Sequence, residues 1–242
     1  MKDMFNDINL NNVNSTNQWA KEHLTELHDR SVVTAQTQTN GRGRLNRSWM
    51  DLGEGNLFLT FVLKPDLKYS SHFSNITQYL SVILCRILEK YEVAPQIKWP
   101  NDVLVNGKKI AGILAETSMS QNNFNGIVLG IGVNLNAKAE SFKSIDKPAT
   151  ALNLEINREI NLENFKTELC EEFFGQYDEF MGNGFLFIMD EYIKHACFLN
   201  KELTVAQINK NISGTAKGIN EHGELVLAQQ DKDIILDIGD IL

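Results

Sequence analysis

The chain has 242 residues, 43% of them hydrophobic and 22% charged, with a formal net charge of −8. That is room for one good core plus a smaller appended module, and an acidic balance (pI ≈ 5.2) leaves no broad basic field to track a nucleic-acid backbone. No window approaches the apolar run that spans a bilayer, and MKDMFNDINLNN lacks the basic-then-apolar pattern of a signal peptide, so a cytoplasmic protein with no membrane partner is expected.

Ser15, Thr16 and Asn17 are good helix-capping residues, and Trp19, Ala20, His23, Leu24 and Leu27 then fall on one helical face, predicting a helix over 15–29. SVVTAQT at 31–37 is β-branched and predicts a strand, as does the apolar run from Asn56 to Lys64. Between them lies GRGRLNRSW at 41–49, with Arg42, Arg44 and Arg47 inside six residues of an otherwise acidic chain. Gly41 and Gly43 let the backbone approach a ligand, and the guanidinium forks suit phosphate or carboxylate, so the loop is expected to bind an anion.

Phe73, Ile76, Leu80, Ile83, Leu84, Ile87, Leu88 and Tyr91 recur at helical spacing, predicting a long helix over 72–91 packed on a sheet. Gln96 to Glu116 gives a short strand, a break at Pro100 and a hairpin whose Asn106-Gly107 pair is a strong turn signal. In the strand GIVLGIGVNLN at 126–136, Gly130 and Gly132 lack side chains on one face, which leaves room for something flat against the backbone. Leu162 to Phe180 and Phe185 to Ala196 predict two further helices.

From about Asn200 the pattern changes to short strands, with turns at Glu221-His222-Gly223 and Gln230-Asp231, and a small β-barrel docked on the main domain is expected. The domains are placed at 1–196 and 197–242 in an α+β chain. Cys85, Cys170 and Cys197 read as buried thiols of a reducing compartment, and the five histidines show no metal-ligand spacing. Lys98, Asn101 and Asp102 flank the Trp99-Pro100 kink, and with the arginine loop they make an inventory of cations, amides and one acid without an evident nucleophile. Such a set fits a reaction between two anions.

Several segments together resemble biotin protein ligases: NSTNQW at 14–19, QTNGRGRLNRSW at 38–49, GEGNLFLTF at 53–61, KWPNDVLVNGKKIAGILAE at 98–116, GIGVNLN at 130–136 and GTAKGINEHGELVLA at 214–228. The order is that of the family and the likeness runs nearly end to end. It implies a catalytic domain with a mixed β-sheet flanked by helices, of the class II synthetase-like biotin/lipoate ligase fold, followed by an SH3-like β-barrel. It also implies ATP and biotin as substrates, magnesium as helper, biotinyl-5′-AMP as intermediate, and a lysine of the biotin carboxyl carrier domain of acetyl-CoA carboxylase or a related carboxylase as acceptor.

Residue by residue, the resemblance implies that Ser15, Thr16, Asn17, Gln38, Gly41, Arg42, Lys98 and Gly112 bind biotin. Arg42, Arg44, Arg47, Trp49, Asn56, Asn101, Gly130, Gly132 and Asn134 would bind ATP and the adenylate, Trp49 by stacking. Lys98, Arg42, Arg44 and Asp102 would be catalytic, Lys98 by contacting both the biotin carboxylate and the phosphate. Asp102 is left with two roles, orienting magnesium-bound phosphate or deprotonating the acceptor lysine. Asn46 stands where many bacterial members have glycine, and since Asn tolerates the left-handed region the loop is expected to keep its path.

Repressor-type members begin with a DNA-binding winged helix, whereas here the ligand motif starts at Asn14, so the resemblance implies a monofunctional form that binds no DNA, as monomer or homodimer. A lipoate or octanoate ligase of the same fold is the alternative enzyme. A binding module using the arginine loop without chemistry is the alternative of another class.

Overall fold

The computed structural model describes residues 5–53, 55–120, 123–229 and 232–242. In chain order they form β1 (Asn6–Val13), α1 (Thr16–Glu22), β2 (Ser31–Gln38), the two-residue strands β3 (Gly41–Arg42) and β4 (Ser48–Trp49), and β5 (Leu57–Leu63). Then come α2 (Ile76–Lys90), β6 (Pro95–Lys98), β7 (Asp102–Val105), β8 (Lys108–Ser120), β9 (Asn123–Val133), α3 (Leu152–Ile156), α4 (Leu162–Asn183) and α5 (Met189–His195). The chain ends with β10 (Glu202–Ala206), β11 (Asn211–Ile219), β12 (Leu225–Gln229), β13 (Lys232–Leu236) and β14 (Asp240–Ile241).

The main sheet has seven strands in the order β1-β2-β5-β9-β8-β7-β6, with β1 and β2 parallel and the remaining pairs antiparallel. Every residue of the interior strand β5 is buried, because both faces are covered. On one face Val33, Val62 and Val128 pack against Ala20 and Leu24 from the α1 segment. On the other, Val32, Phe61 and Leu129 join the large core built with α2, α4 and α5. Phe61 stacks on Phe173 of α4 with ring centroids 4.1 Å apart, and Tyr79 of α2 stacks on Phe180 at 4.4 Å.

The hairpin between β7 and β8 turns at Asn106 (φ 51°) and Gly107 (φ 72°), both left-handed, as the two-residue turn that matches strand twist requires. Strands β10 to β14 form a separate antiparallel sheet in the order β13-β12-β11-β10-β14, the SH3-like element expected at this end of the chain.

Several expectations need correction. The helix over 15–29 ends at Glu22, after which tight turns carry Leu24 and Leu27 at spacings that imitate a helix. The helix over 72–91 is α-helical only from Ile76, with a 3-10 segment before it at Leu67–Asn75. The segment from Phe185 begins as a 3-10 turn before α5. Cys85 and Cys170 are buried but Cys197 is partly exposed and lies beyond the helix. The strand β1 went unpredicted, and the turn expected at Gln230-Asp231 lies outside the described residues.

Candidate functional site

One cleft of about 760 Å³ opens between the face of the main sheet, the arginine loop and the end of the small sheet. It is lined by Ser15, Thr16, Asn17, Gln38, Arg42, Arg44, Arg47, Trp49, Lys98, Asn101, Asp102, Gly112, Gly130, Gly132 and Asn134. Of the residues singled out from the sequence, Gly41 and Asn56 stand apart from the lining. Asn56 is buried, with its Oδ1 accepting from Leu135 N at 2.9 Å and its Nδ2 donating to Gly53 O at 3.1 Å, so it ties the ends of β5 and β9 and offers a ligand little. Gly41 pairs with Trp49 across the β3–β4 ribbon and shapes the loop from behind.

At one end of the cleft, the buried start of α1 presents polar groups. Thr16 donates its N–H (2.7 Å) and its hydroxyl (3.1 Å) to Gln38 Oε1, which leaves the Gln38 amide nitrogen as a donor. Asn17 donates to Leu114 O at 3.1 Å, while its Oδ1 accepts from Thr60 at 2.7 Å. Thr60, wholly buried in the apolar run of β5, also sits 2.9 Å from Thr16 Oγ1. Burial without a partner disfavours a hydroxyl, so a lone Thr in a central strand marks a polar counterpart above it. That signal was present in the sequence and was missed.

The glycines of the sheet are occupied by the protein's own side chains. A Cβ on Gly130 would collide with the amide of Asn17, and one on Gly132 with the indole of Trp49. Gly112 faces Gly132 directly across β8 and β9, and a Cβ there would sit 2.8 Å from Trp49 Cζ3. The paired glycines therefore form a flat window that seats the indole against backbone.

Charge is arranged around this window. Arg44 Nε and Arg47 Nη1 both donate to the buried carboxylate of Asp240, at 3.0 and 2.8 Å, and Arg44 Nη2 reaches Gly239 O at 3.2 Å. Arg42 donates to Gln18 at 3.0 Å and lies 3.4 Å from Glu116, a carboxylate that also receives Lys21. The left-handed residue of the loop is Leu45 (φ 51°, ψ 42°), one position before Asn46, for which that conformation was expected.

Asp102 pairs with Lys109 at 2.6 Å, and the Lys109 ammonium stands 5.4 Å from the centre of the Trp49 ring. Asn101 is buried with its amide on Ile113 O, so it braces β7 against β8. Asn134 likewise donates to Thr150 O at 3.0 Å. The Lys98 ammonium is held below the ordinary lysine range, first by burial and then by Lys147. An anion bound beside Lys98 would offset both effects and favour the ammonium. Lys109, Lys147, Glu116 and Asp240 were not singled out from the sequence.

Among the described residues no three His, Cys, Asp or Glu side chains come together to hold a metal; of the side-chain acids lining the cleft, Asp102, Asp146 and Asp240, the first and the last are engaged by cations. The donor set does not fit a protein-caged magnesium ion. No helix among the described residues is long and apolar enough to cross a membrane.

The sequence profile of the Biotin/lipoate A/B protein ligase family matches residues 10–134. The biotin–[acetyl-CoA-carboxylase] ligase of Paracoccus denitrificans is 30% identical over 222 residues, covering 88% of this chain and 90% of that protein. The bifunctional ligase/repressor BirA of Bacillus spizizenii is 29% identical over 203 residues, covering 83% of this chain and 62% of that protein, so the chain spans less than two thirds of that relative's length. Among solved structures, a biotin protein ligase from Aquifex aeolicus in complex with biotin and ATP superposes with a TM-score of 0.85 at 25% identity, covering 98% of this chain and 97% of that one.

Proposed function

Since the chain belongs to the biotin/lipoate A/B protein ligase family, we propose that it activates biotin with ATP and transfers the biotinyl group to a lysine of a biotin carboxyl carrier domain. The observation that carries this reading is the convergence of uncharged polar groups, loop arginines and the half-buried Lys98 in one cleft over a glycine window.

In the first step the biotin carboxylate attacks the α-phosphate of ATP, forming the acyl–phosphate bond as pyrophosphate leaves. Both reactants are anions, so rate comes from positioning and fixed positive charge. Lys98 holds the carboxylate against the α-phosphate, while Arg42, Arg44 and Arg47 take the phosphates and Trp49 stacks on the adenine. Ser15, Thr16, Asn17 and Gln38 meet the ureido ring, which has one acceptor oxygen and two N–H donors. The resulting mixed anhydride is labile, and the loop over the cleft keeps water from it.

In the second step the neutral amine of the acceptor lysine attacks the acyl carbon, AMP departs and the amine proton is lost. The proton passes to solvent, and Asp102, held by Lys109, is assigned to orienting groups in the cleft. We assign biotin and ATP binding to residues 1–196 and a supporting module to 197–242.

Incubation with labelled biotin, Mg-ATP and a carrier domain tests the reading. Label should appear on the carrier and vanish when the acceptor lysine is replaced by arginine; a carrier that stays unlabelled beside a folded protein contradicts it.

A further inference from the structure

A second group of buried polar atoms lies where the small sheet meets the main one. The turn between β11 and β12 is fixed by its own bonds, Asn220 Oδ1 accepting from the N–H groups of His222 and Glu224, both at 3.0 Å. Its tip enters the core. Asn75 donates to His222 O at 2.8 Å, and Gly223 O accepts from Gln78 Nε2 at 2.8 Å and from the indole N–H of Trp99 at 3.3 Å. Gly223 has φ 77°, and a Cβ there would collide with Asn75 and press on Gln78.

Trp99 is the residue after Lys98, and it lines the cleft while remaining buried. The next carbonyl, that of Pro100, is met from behind by Tyr192 Oη at 3.4 Å. The backbone that carries Lys98 is thus held at its next residue by an acceptor from the opposite sheet. A buried indole N–H needs an acceptor, and here it comes from the tip of a turn whose docking is already fixed by two amide side chains.

We propose that the Gly223 turn is a positioning element for adenylation: through Trp99 it sets where the Lys98 ammonium stands. The inference rests on the biotin-activating reading above. It gives the small sheet a part in the chemical step that does not require it to touch either substrate.

The test uses the full chain carrying Trp99→Phe, Gly223→Ala or both, with thermal unfolding as the control for folding. Biotin-dependent exchange of labelled pyrophosphate into ATP gives kcat and the KM for biotin. Since a misplacement of about 1 Å can cost on the order of a hundredfold, each single variant should lose roughly tenfold in kcat with KM for biotin held within about twofold. The double variant should be no slower than the slower single, because both break one contact. If Gly223→Ala does not fold, Gln78→Met, which changes no residue of the turn but removes the amide that anchors Gly223 O beside Trp99, takes its place in the cycle. Losses that multiply in the double variant, or a folded turn variant with wild-type kcat, overturn the inference. A folded wild type without biotin-dependent exchange overturns the functional reading and this inference with it, so the two failures are told apart.

Discussion

Lys98 stands in a cleft that disfavours its charge, through burial first and through Lys147 second. The working form is the ammonium, which raises activity below its pKa and loses it as pH rises through that value. Removing a like charge favours protonation, so Lys147→Gln is expected to move the alkaline limb of the adenylation rate to higher pH. Lys98→Ala should abolish that limb and lower the rate about a hundredfold, on the order of 3 kcal/mol. A pH-rate profile decides it; a limb that stays in place in Lys147→Gln, or moves to lower pH, removes Lys98 from the role. Of the cations of this site, Arg42, Arg44, Arg47 and Lys98 were legible because they sit in compact motifs, whereas Lys109 and Lys147 were not. Their carboxylate was not: Asp240 lies 196 residues from Arg44, and only folding brings it there.

At the scale of elements, the Gly112 and Gly132 window explains why two glycines recur in strands that disfavour glycine. From the sequence, room for a flat group was read at Gly130 and Gly132; Gly132 does face the Trp49 indole, while Gly130 faces the Asn17 amide and Gly112 takes its place in the window. That Trp49 fills the window was not readable, since the ring arrives on a separate ribbon. Gly132→Ala is expected to displace the indole, which intrinsic fluorescence reports as a shifted emission maximum, and to raise the KM for ATP by about tenfold, the scale of losing one aromatic stacking contact. Unchanged emission and KM would mean that the window has no part in nucleotide binding. The long periodic elements α2 and α4, the strands β2, β5 and β9 and the Asn106-Gly107 hairpin were legible from period and turn chemistry. Strand β1 was not, because NDINLNNV is rich in asparagine, a residue that ordinarily avoids strands, and this edge strand pairs only through β2.

At the scale of the molecule, the small sheet reaches the cleft twice, through Gly223 behind Trp99 and through Asp240 beneath Arg44 and Arg47. The second contact joins an element near the chain's end to the loop proposed to cover the adenylate. Asp240→Asn keeps the shape and removes the charge, weakening two charge-assisted bonds, one of them to the half-exposed Arg47. Dissociation of biotinyl-adenylate should then quicken, by about tenfold, as measured by stopped flow. An unchanged off-rate would confine Asp240 to holding the small sheet in place.

The central claim is that this cleft joins biotin to AMP, and exchange of labelled pyrophosphate into ATP tests it without needing an acceptor protein. With biotin and magnesium present the folded protein should carry the label into ATP, and it should do so neither without biotin nor with lipoate in its place. Absence of exchange with biotin, or equal exchange with lipoate, would contradict the account.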